Sequence, residues 1–343
     1  MRPPKLRFGT DYYALEMGLY AETVRAAEDI GLDLIGHGDS QSLWHDPYVA
    51  LTVAALNSRS LRLGPMVTNP VTRHPAVTAA ALLGLQELSG GRAIVGVGGG
   101  DSSVLNLGLA PARIAEVQEY AKALQDLTAG RQAIYQGRPI RLRWAPAGGA
   151  PVPVFLAAEG PRKLALAGAI ADGVIVSNGI SEEVVRSTVQ TVRRAAVAAG
   201  RSPDAVEIWW LVSFQFAPSV PEGIDTLRWL LAANADHVFR FTLEGKHVPP
   251  ELADGLRGLM SEYAHEEHAV AHGSELNAGL VDKYGLREWL GRRFAITGTP
   301  EACRDRIREV AGYGATNLIF TQLVPDQVGF VRQLGTDVLA HLR

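Results

Sequence analysis

Eight times along the 343 residues a short apolar, β-branched run is followed by a longer stretch, most often of helical period, and this alternation constrains the fold more than any single motif. The runs fall at residues 6–10, 32–37, 62–68, 92–98, 152–157, 173–177, 206–216 and 317–322. Helical segments read at 17–30, 47–57, 76–88 and 111–127, and another begins at Thr299-Pro300-Glu301, where Thr supplies the cap and Pro the first turn. Strands that alternate with helices pair in parallel, and eight units without an internal break predict an α/β (β/α)8 TIM barrel rather than a doubly wound sheet. Residues 1–343 then form a single barrel domain, closed by pairing of 317–322 with 6–10. Two stretches exceed a minimal barrel and read as insertions within it. Residues 130–151 are rich in Gly, Pro and Arg; residues 221–293 are too long for one crossover helix and carry helical pieces at 227–233, 251–267 and 283–290. The second is expected over the C-terminal mouth, where barrel loops grow.

The strand exits carry the polar chemistry. The third run ends in Val67-Thr68-Asn69-Pro70-Val71-Thr72-Arg73-His74-Pro75, and the fourth in Gly98-Gly99-Gly100-Asp101-Ser102-Ser103. Both pass from a packed strand into a polar loop, which points to one shared ligand site. The three glycines either let backbone approach a flat ligand closely or simply allow a positive φ in a strand-to-loop turn. The dinucleotide fingerprint fails, because Asp101 stands where its last glycine is required. Asp101 is read either as a partly buried proton donor, its pKa raised, or as a turn cap. The second run leaves through Asp39-Ser40-Gln41-Ser42-Leu43-Trp44-His45-Asp46-Pro47, a polar loop with an aromatic wall, in which Asp46-Pro47 reads as the start of the next helix. Glu159-Gly160-Pro161-Arg162-Lys163 opens a helix with free amides beside two cations, which suits a phosphate, and Ser177-Asn178-Gly179 can add donors; ordinary loop chemistry explains both stretches equally well.

The remaining features exclude more than they assign. Net charge is -3, so no field draws nucleic acid or an anionic membrane. No run is apolar enough to span a bilayer, no signal peptide opens the chain, and the one cysteine, Cys303, reads as a core residue of a cytoplasmic protein. His37 reads as a satisfied core histidine. His265 and His268 lie three apart rather than four, a solvated helix face and not a zinc site, so no metal is expected.

Together these motifs resemble the luciferase-like superfamily of flavin- and deazaflavin-dependent barrel enzymes, nearest the methylenetetrahydromethanopterin reductase branch. The segments 67–75 and 90–101 carry the resemblance; Ala158-Glu159-Gly160-Pro161, Ala171-Asp172-Gly173-Val174 and Ile296-Thr297-Gly298-Thr299-Pro300-Glu301 extend it over most of the chain. The resemblance implies a homodimer that moves a hydride between coenzyme F420 and a small-molecule substrate. It also implies a non-prolyl cis peptide bond at Met66–Val67 that supports the ring. Thr68 and Asn69 are then expected to contact the coenzyme, Gly98 to Gly100 to approach it, and Glu159, Gly160, Ser177, Asn178 and Gly179 to hold its phosphate side. Asp101, Asp39 and Ser40 are the candidate catalytic groups. Two alternatives stay open: an FMN-dependent monooxygenase fed by a separate flavin reductase, and a flavin-binding protein without turnover. The chain departs from the family in carrying Met66 where relatives have a small residue, and Asp39-Ser40 where they often have Asp-His.

Overall fold

The computed structural model describes residues 5–12, 16–268, 274–321 and 324–342. The strands among these residues are β1 (Arg7–Asp11), β2 (Leu34–His37), β3 (Arg62–Pro65), β4 (Val95–Val97), β5 (Ala133–Tyr135), β6 (Arg138–Ile140), β7 (Val154–Ala157), β8 (Gly173–Val176), β9 (Glu207–Phe216), β10 (Ala295–Gly298) and β11 (Asn317–Thr321). Eight of them follow one another in parallel in the order β3-β2-β1-β11-β9-β8-β7-β4, and β10 pairs alongside β9. Single bridges Leu63–Ala93 and Thr68–Val97 bring β3 against β4 and close the ring. The first and last strands pair in register from Arg7–Asn317 to Asp11–Thr321, as barrel closure requires.

The expected strands are slightly shortened for local reasons. β3 stops at Pro65, beside the cis Met66–Val67 peptide bond; the Met66 amide still bonds His37 O and the Thr68 amide bonds Gly96 O, both at 2.9 Å. Inside the barrel, Leu34, Met66, Ile94, Phe155, Ile175, Trp209 and Ile319 form one packed layer. Met66 fits there because its neighbour on β2 is Gly36, where an added Cβ would lie 2.5 Å from the Met66 sulfur. The larger core lies outside the strands, under the helices, as the alternation of strand faces demands. At the N-terminal end Glu207 pairs with both Arg7 and Arg62 at 2.9 Å and accepts Trp209 Nε1 at 3.0 Å. The two guanidinium groups stack over the Trp209 and Phe155 rings, closing the barrel floor.

Residues 130–151 hold a feature the sequence reading missed. β5 and β6 are an antiparallel hairpin turned by Gln136 (φ 51°) and Gly137 (φ 71°), the two-residue turn with positive φ at both positions that suits strand twist. Between β9 and β10 the chain forms helices Val220–Phe239, Ala253–Glu262, Glu275–Lys283 and Arg287–Phe294 around their own buried cluster, which includes Leu231, Phe239, Leu256, Val281 and Leu290. The first of these is longer than the expected piece at 227–233. Ser219 caps it, accepting Glu222 N and bonding the Glu222 carboxylate, so Pro221 and Gly223 belong to its first turns and not to a loop. Gly223 is there because the helix crosses β10, where a Cβ would strike Thr297. β10 was itself unforeseen: it follows helix Arg287–Phe294 without a linker and extends the sheet along residues 213–216 of β9. Cys303 is buried, and His37 is buried with its ring N–H donated to Gly38 O, as expected of core residues. Among the described residues no helix is long and apolar enough to cross a membrane.

Candidate active site

The loops leaving β2, β3 and β4 are joined at the C-terminal mouth by side-chain hydrogen bonds. Asp39 Oδ2 accepts both Thr68 Oγ1 and Arg73 Nε at 2.7 Å, and Oδ1 accepts Arg73 Nη2 at 3.1 Å. Arg73 also pairs with Asp46, which caps helix Pro47–Leu56 as its spacing predicted, and lies over the Tyr48 ring. Ser40 Oγ bonds Ser102 Oγ, Gln41 Nε2 donates to Ser103 O, and Asn69 Nδ2 donates to Ser103 Oγ at 3.1 Å. The two strand exits nominated from sequence, together with that of β2, therefore form one cluster.

Within it several nominated side chains turn into the protein. Both oxygens of Asp39 are committed, so it anchors Arg73 and Thr68 rather than offering a free acid to a ligand. The Asn69 amide oxygen closes its own loop by accepting Val71 N and Thr72 N. Thr68 and Asn69 are buried and Met66 lies in the barrel layer, so Val67 is the partly exposed side chain at this point of the mouth. Internal packing is enough to explain the glycine turn. A Cβ on Gly98 would meet Val67 at 2.8 Å, and one on Gly99 would meet Ala112 O at 3.0 Å. Gly100 has φ 94°, and a Cβ there would strike Val104. Packing and turn geometry require these glycines.

The other half of the mouth lies beyond β7 and β8. Gly160 caps helix Pro161–Ile170, whose first amides are free of helical partners. Lys163 Nζ bonds Glu159 Oε2 at 2.9 Å, and Lys246 reaches in so that its Cε lies 3.7 Å from where a Gly160 Cβ would be. Burial pushes the Lys246 ammonium down to about 8; its Nζ donates to Val238 O. Arg293 is fully buried, donates to Asn178 O, His247 O and Lys246 O, and stacks on Phe239 and Trp289. Gly179, at φ 106°, makes room for it, and Asn178 is buried beside it, whereas Ser177, Glu159 and Gly160 keep part of their surface exposed.

His237 links the two halves. Its Nδ1 lies 2.6 Å from Asp101 Oδ2 and its Nε2 lies 3.6 Å from Glu159 Oε1. Arg240, one turn further on, bonds the other Asp101 oxygen at 2.9 Å and holds buried Asp236. Burial alone would raise the Asp101 carboxyl, but His237 and Arg240 outweigh it and hold it well below the usual carboxylate range. The expectation of a raised pKa and a proton carried on Asp101 is thereby corrected. Burial also acts against the His237 imidazolium, but the two carboxylates win and push it up to about 10. Glu159 is likewise held low, because Lys163 and His237 overcome its burial. His268 departs from the expected solvated face: its Nδ1 takes the Tyr263 hydroxyl at 2.7 Å, while His265 stays exposed. Among the described residues no cluster of His, Cys, Asp and Glu could hold a metal ion.

Sequence reasoning missed His237, Arg240, Lys246 and Arg293. The only local sign was the Asp236/Arg240 spacing of one helical turn, which marks a charge pair but not what it faces.

Known proteins share this architecture. The 5,10-methylenetetrahydromethanopterin reductase of Methanolobus tindarius is 26% identical over 97% of this chain and 100% of its own length. An F420-dependent glucose-6-phosphate dehydrogenase of Nakamurella multipartita is 27% identical over 100% of this chain and 98% of its own. The structure of the coenzyme F420-dependent tetrahydromethanopterin reductase from Methanopyrus kandleri superposes with a TM-score of 0.75 at 23% identity, covering 99% of this chain and 100% of that one. The profile of the luciferase-like monooxygenase family matches residues 9–317, and the chain belongs to that family.

Proposed function

We propose that this chain is an oxidoreductase that moves a hydride between the deazaflavin coenzyme F420 and a small organic substrate. The observation that carries the reading is the pairing, at one barrel mouth, of a partly apolar wall at Val67 with a cationic helix start at Gly160. That combination suits a flat ring with an anionic tail. The names of the relatives point the same way, since the dehydrogenase and the Methanopyrus kandleri reductase are both described as F420-dependent. When bound, the coenzyme supplies a carbon that accepts or donates hydride. The protein's part is positional. Val67 supports one face of the ring, and the Arg162 and Lys163 amides with the Lys163 ammonium group hold the phosphate. The hydrogen-bonded serines Ser40, Ser102 and Ser103 line the mouth and limit water.

We also propose that the protein works as a cytoplasmic homodimer. Val49, Leu56, Val77 and Leu88 are exposed on helices Pro47–Leu56 and Pro75–Leu88, apolar surface that suits a second copy; sedentation by ultracentrifugation measures its mass.

Titration of the purified protein with F420 and with FMN, without oxygen, tests the coenzyme. F420 is expected to bind at least about tenfold more tightly, the 1.4 kcal/mol of a single well-made contact to the tail. Reduced F420 is then expected to be oxidised by a reducible substrate with no oxygen consumed. Preference for FMN with oxygen uptake would make the chain a monooxygenase served by a separate reductase. Binding with no turnover of any substrate would make it a carrier.

A further inference from the structure

We propose that His237, oriented by Asp101, donates the proton that accompanies hydride transfer to the substrate. The inference rests on the hydride-transfer reading above and deepens it.

Three observations carry it. His237 sits at the mouth with its side chain 37% exposed, so a substrate can reach it. Its two nitrogens are held unequally: Nδ1 is in a short hydrogen bond to Asp101, whereas Nε2 faces Glu159 across 3.6 Å, too far for a normal hydrogen bond. The ring's exposed side lets an acceptor atom approach Nε2 beside Glu159 and compete for that proton. Asp101 in turn cannot rotate away, because its second oxygen is fixed by Arg240. A carboxylate that fixes one ring nitrogen and stabilises the charged ring leaves the other nitrogen to exchange protons with substrate, and this is the logic of an oriented acid–base histidine.

The charges around the ring decide which direction the proton moves. The barrel presents Asp101, Glu159 and Lys163; the helix carries Asp236 and Arg240; Lys246 and, from the segment after helix Ala253–Glu262, Tyr263 and His268 complete the surroundings. The anions lie closest, the imidazole is charged at neutral pH, and a charged ring is an acid. The chemistry balances in the reducing direction. With the reduced coenzyme bound, the substrate carbon would receive the hydride it supplies, and the electron pair of the C=O, C=N or breaking C–N bond would move onto oxygen or nitrogen. That atom takes the Nε2 proton, and neutral His237 regains a proton from water under the pull of Asp101 and Glu159. A substrate with no heteroatom on the reduced carbon would have no use for the proton. His237 is thus assigned as a catalytic residue, and Asp101 as a positioning residue.

The test uses the full chain, with cyclohexanone, benzaldehyde and methylenetetrahydrofolate as probes and reduced F420 as donor. Long-range proton–nitrogen spectra of histidine-labelled protein follow His237, identified by the signal that His237→Gln removes. In the coenzyme-free protein that ring is expected to stay doubly protonated beyond pH 8, and in Asp101→Asn its midpoint falls by at least about one pH unit toward the ordinary histidine value. With whichever probe is reduced fastest, His237→Gln loses at least about 100-fold in kcat, the contribution of a positioned acid, with F420 affinity within about threefold of wild type. Asp101→Asn moves the alkaline limb of the pH–rate profile down by the amount seen in the spectra. Turnover of His237→Gln within about threefold of wild type overturns the proposal, as does an unshifted midpoint in Asp101→Asn, or a loss confined to melting temperature and KM, the mark of a structural latch. Failure of wild type to bind F420 or reduce any probe is seen before a variant is made; it overturns the hydride-transfer reading and this one with it, whereas a failing variant beside an active wild type overturns this one alone.

Discussion

The two halves of the mouth are built in opposite ways. The half beyond β2, β3 and β4 comes from residues 39–103 and is a hydroxyl and amide mesh around one bidentate ion pair, Asp39–Arg73. The half beyond β7 and β8 is mostly charge, and half of it arrives from residues 236–293, far along the chain. The first half joins residues of neighbouring strands. The second depends on the helices following β9, which return His237, Arg240, Lys246 and Arg293 to the barrel. A site made this way can keep one wall constant while the distant segment varies the other.

Three measurements can break or sharpen that contrast. The largest effect is expected from Arg73→Leu, which leaves the buried Asp39 carboxylate without its cation. Removing one partner of a buried pair costs about 3–5 kcal/mol, so chemical denaturation should show a loss in that range with the m-value unchanged. A loss under about 1 kcal/mol, typical of an exposed pair, would mean that the first half is not a preformed unit. Next is Gly99→Leu. Because a side chain there meets Ala112 O, the variant is expected to lose about 1–3 kcal/mol of stability through forced packing, and not merely to block a ligand. A variant that melts like wild type yet fails to bind F420 would restore the view that the glycine serves the coenzyme. The smallest effect concerns the second half and pH. The folded pKa of His237 is raised, to about 10, so its stabilisation is complete below the ordinary value near 6.5 and is lost as pH rises through about 10. Wild-type melting temperature is therefore expected to fall between pH 7 and 10 more steeply than that of His237→Gln, by a modest amount because the ring is partly exposed. Equal slopes would show that the imidazolium does not hold the second half to the first.

Much of the frame was legible in the sequence because alternation of strands and helices is a local signal. The eight strands of the barrel could be placed from their apolar, β-branched runs, and Asp46-Pro47 and Thr299-Pro300 marked helix starts directly. β10 escaped because it has four residues and no turn before it, and the hairpin because Gln136-Gly137 is a weak form of the usual turn pair. In the site, the strand exits were found but their side-chain directions were not. Sequence shows that Asp39, Thr68 and Asn69 are polar; it does not show that Arg73 and the loop amides already use them. Asp101 was misjudged for the same reason: burial was foreseen, whereas the cations that reverse its effect come from 136 and 139 residues away. No spacing rule reaches across that distance.

The closed floor of the barrel has a further consequence. With Glu207 gripped by two arginines below and a layer of Met66, Phe155 and Trp209 above, this end of the barrel is filled by packed side chains, a cup with a solid bottom. A flat guest resting against Val67 would lie toward that bottom, and a second guest would settle above it.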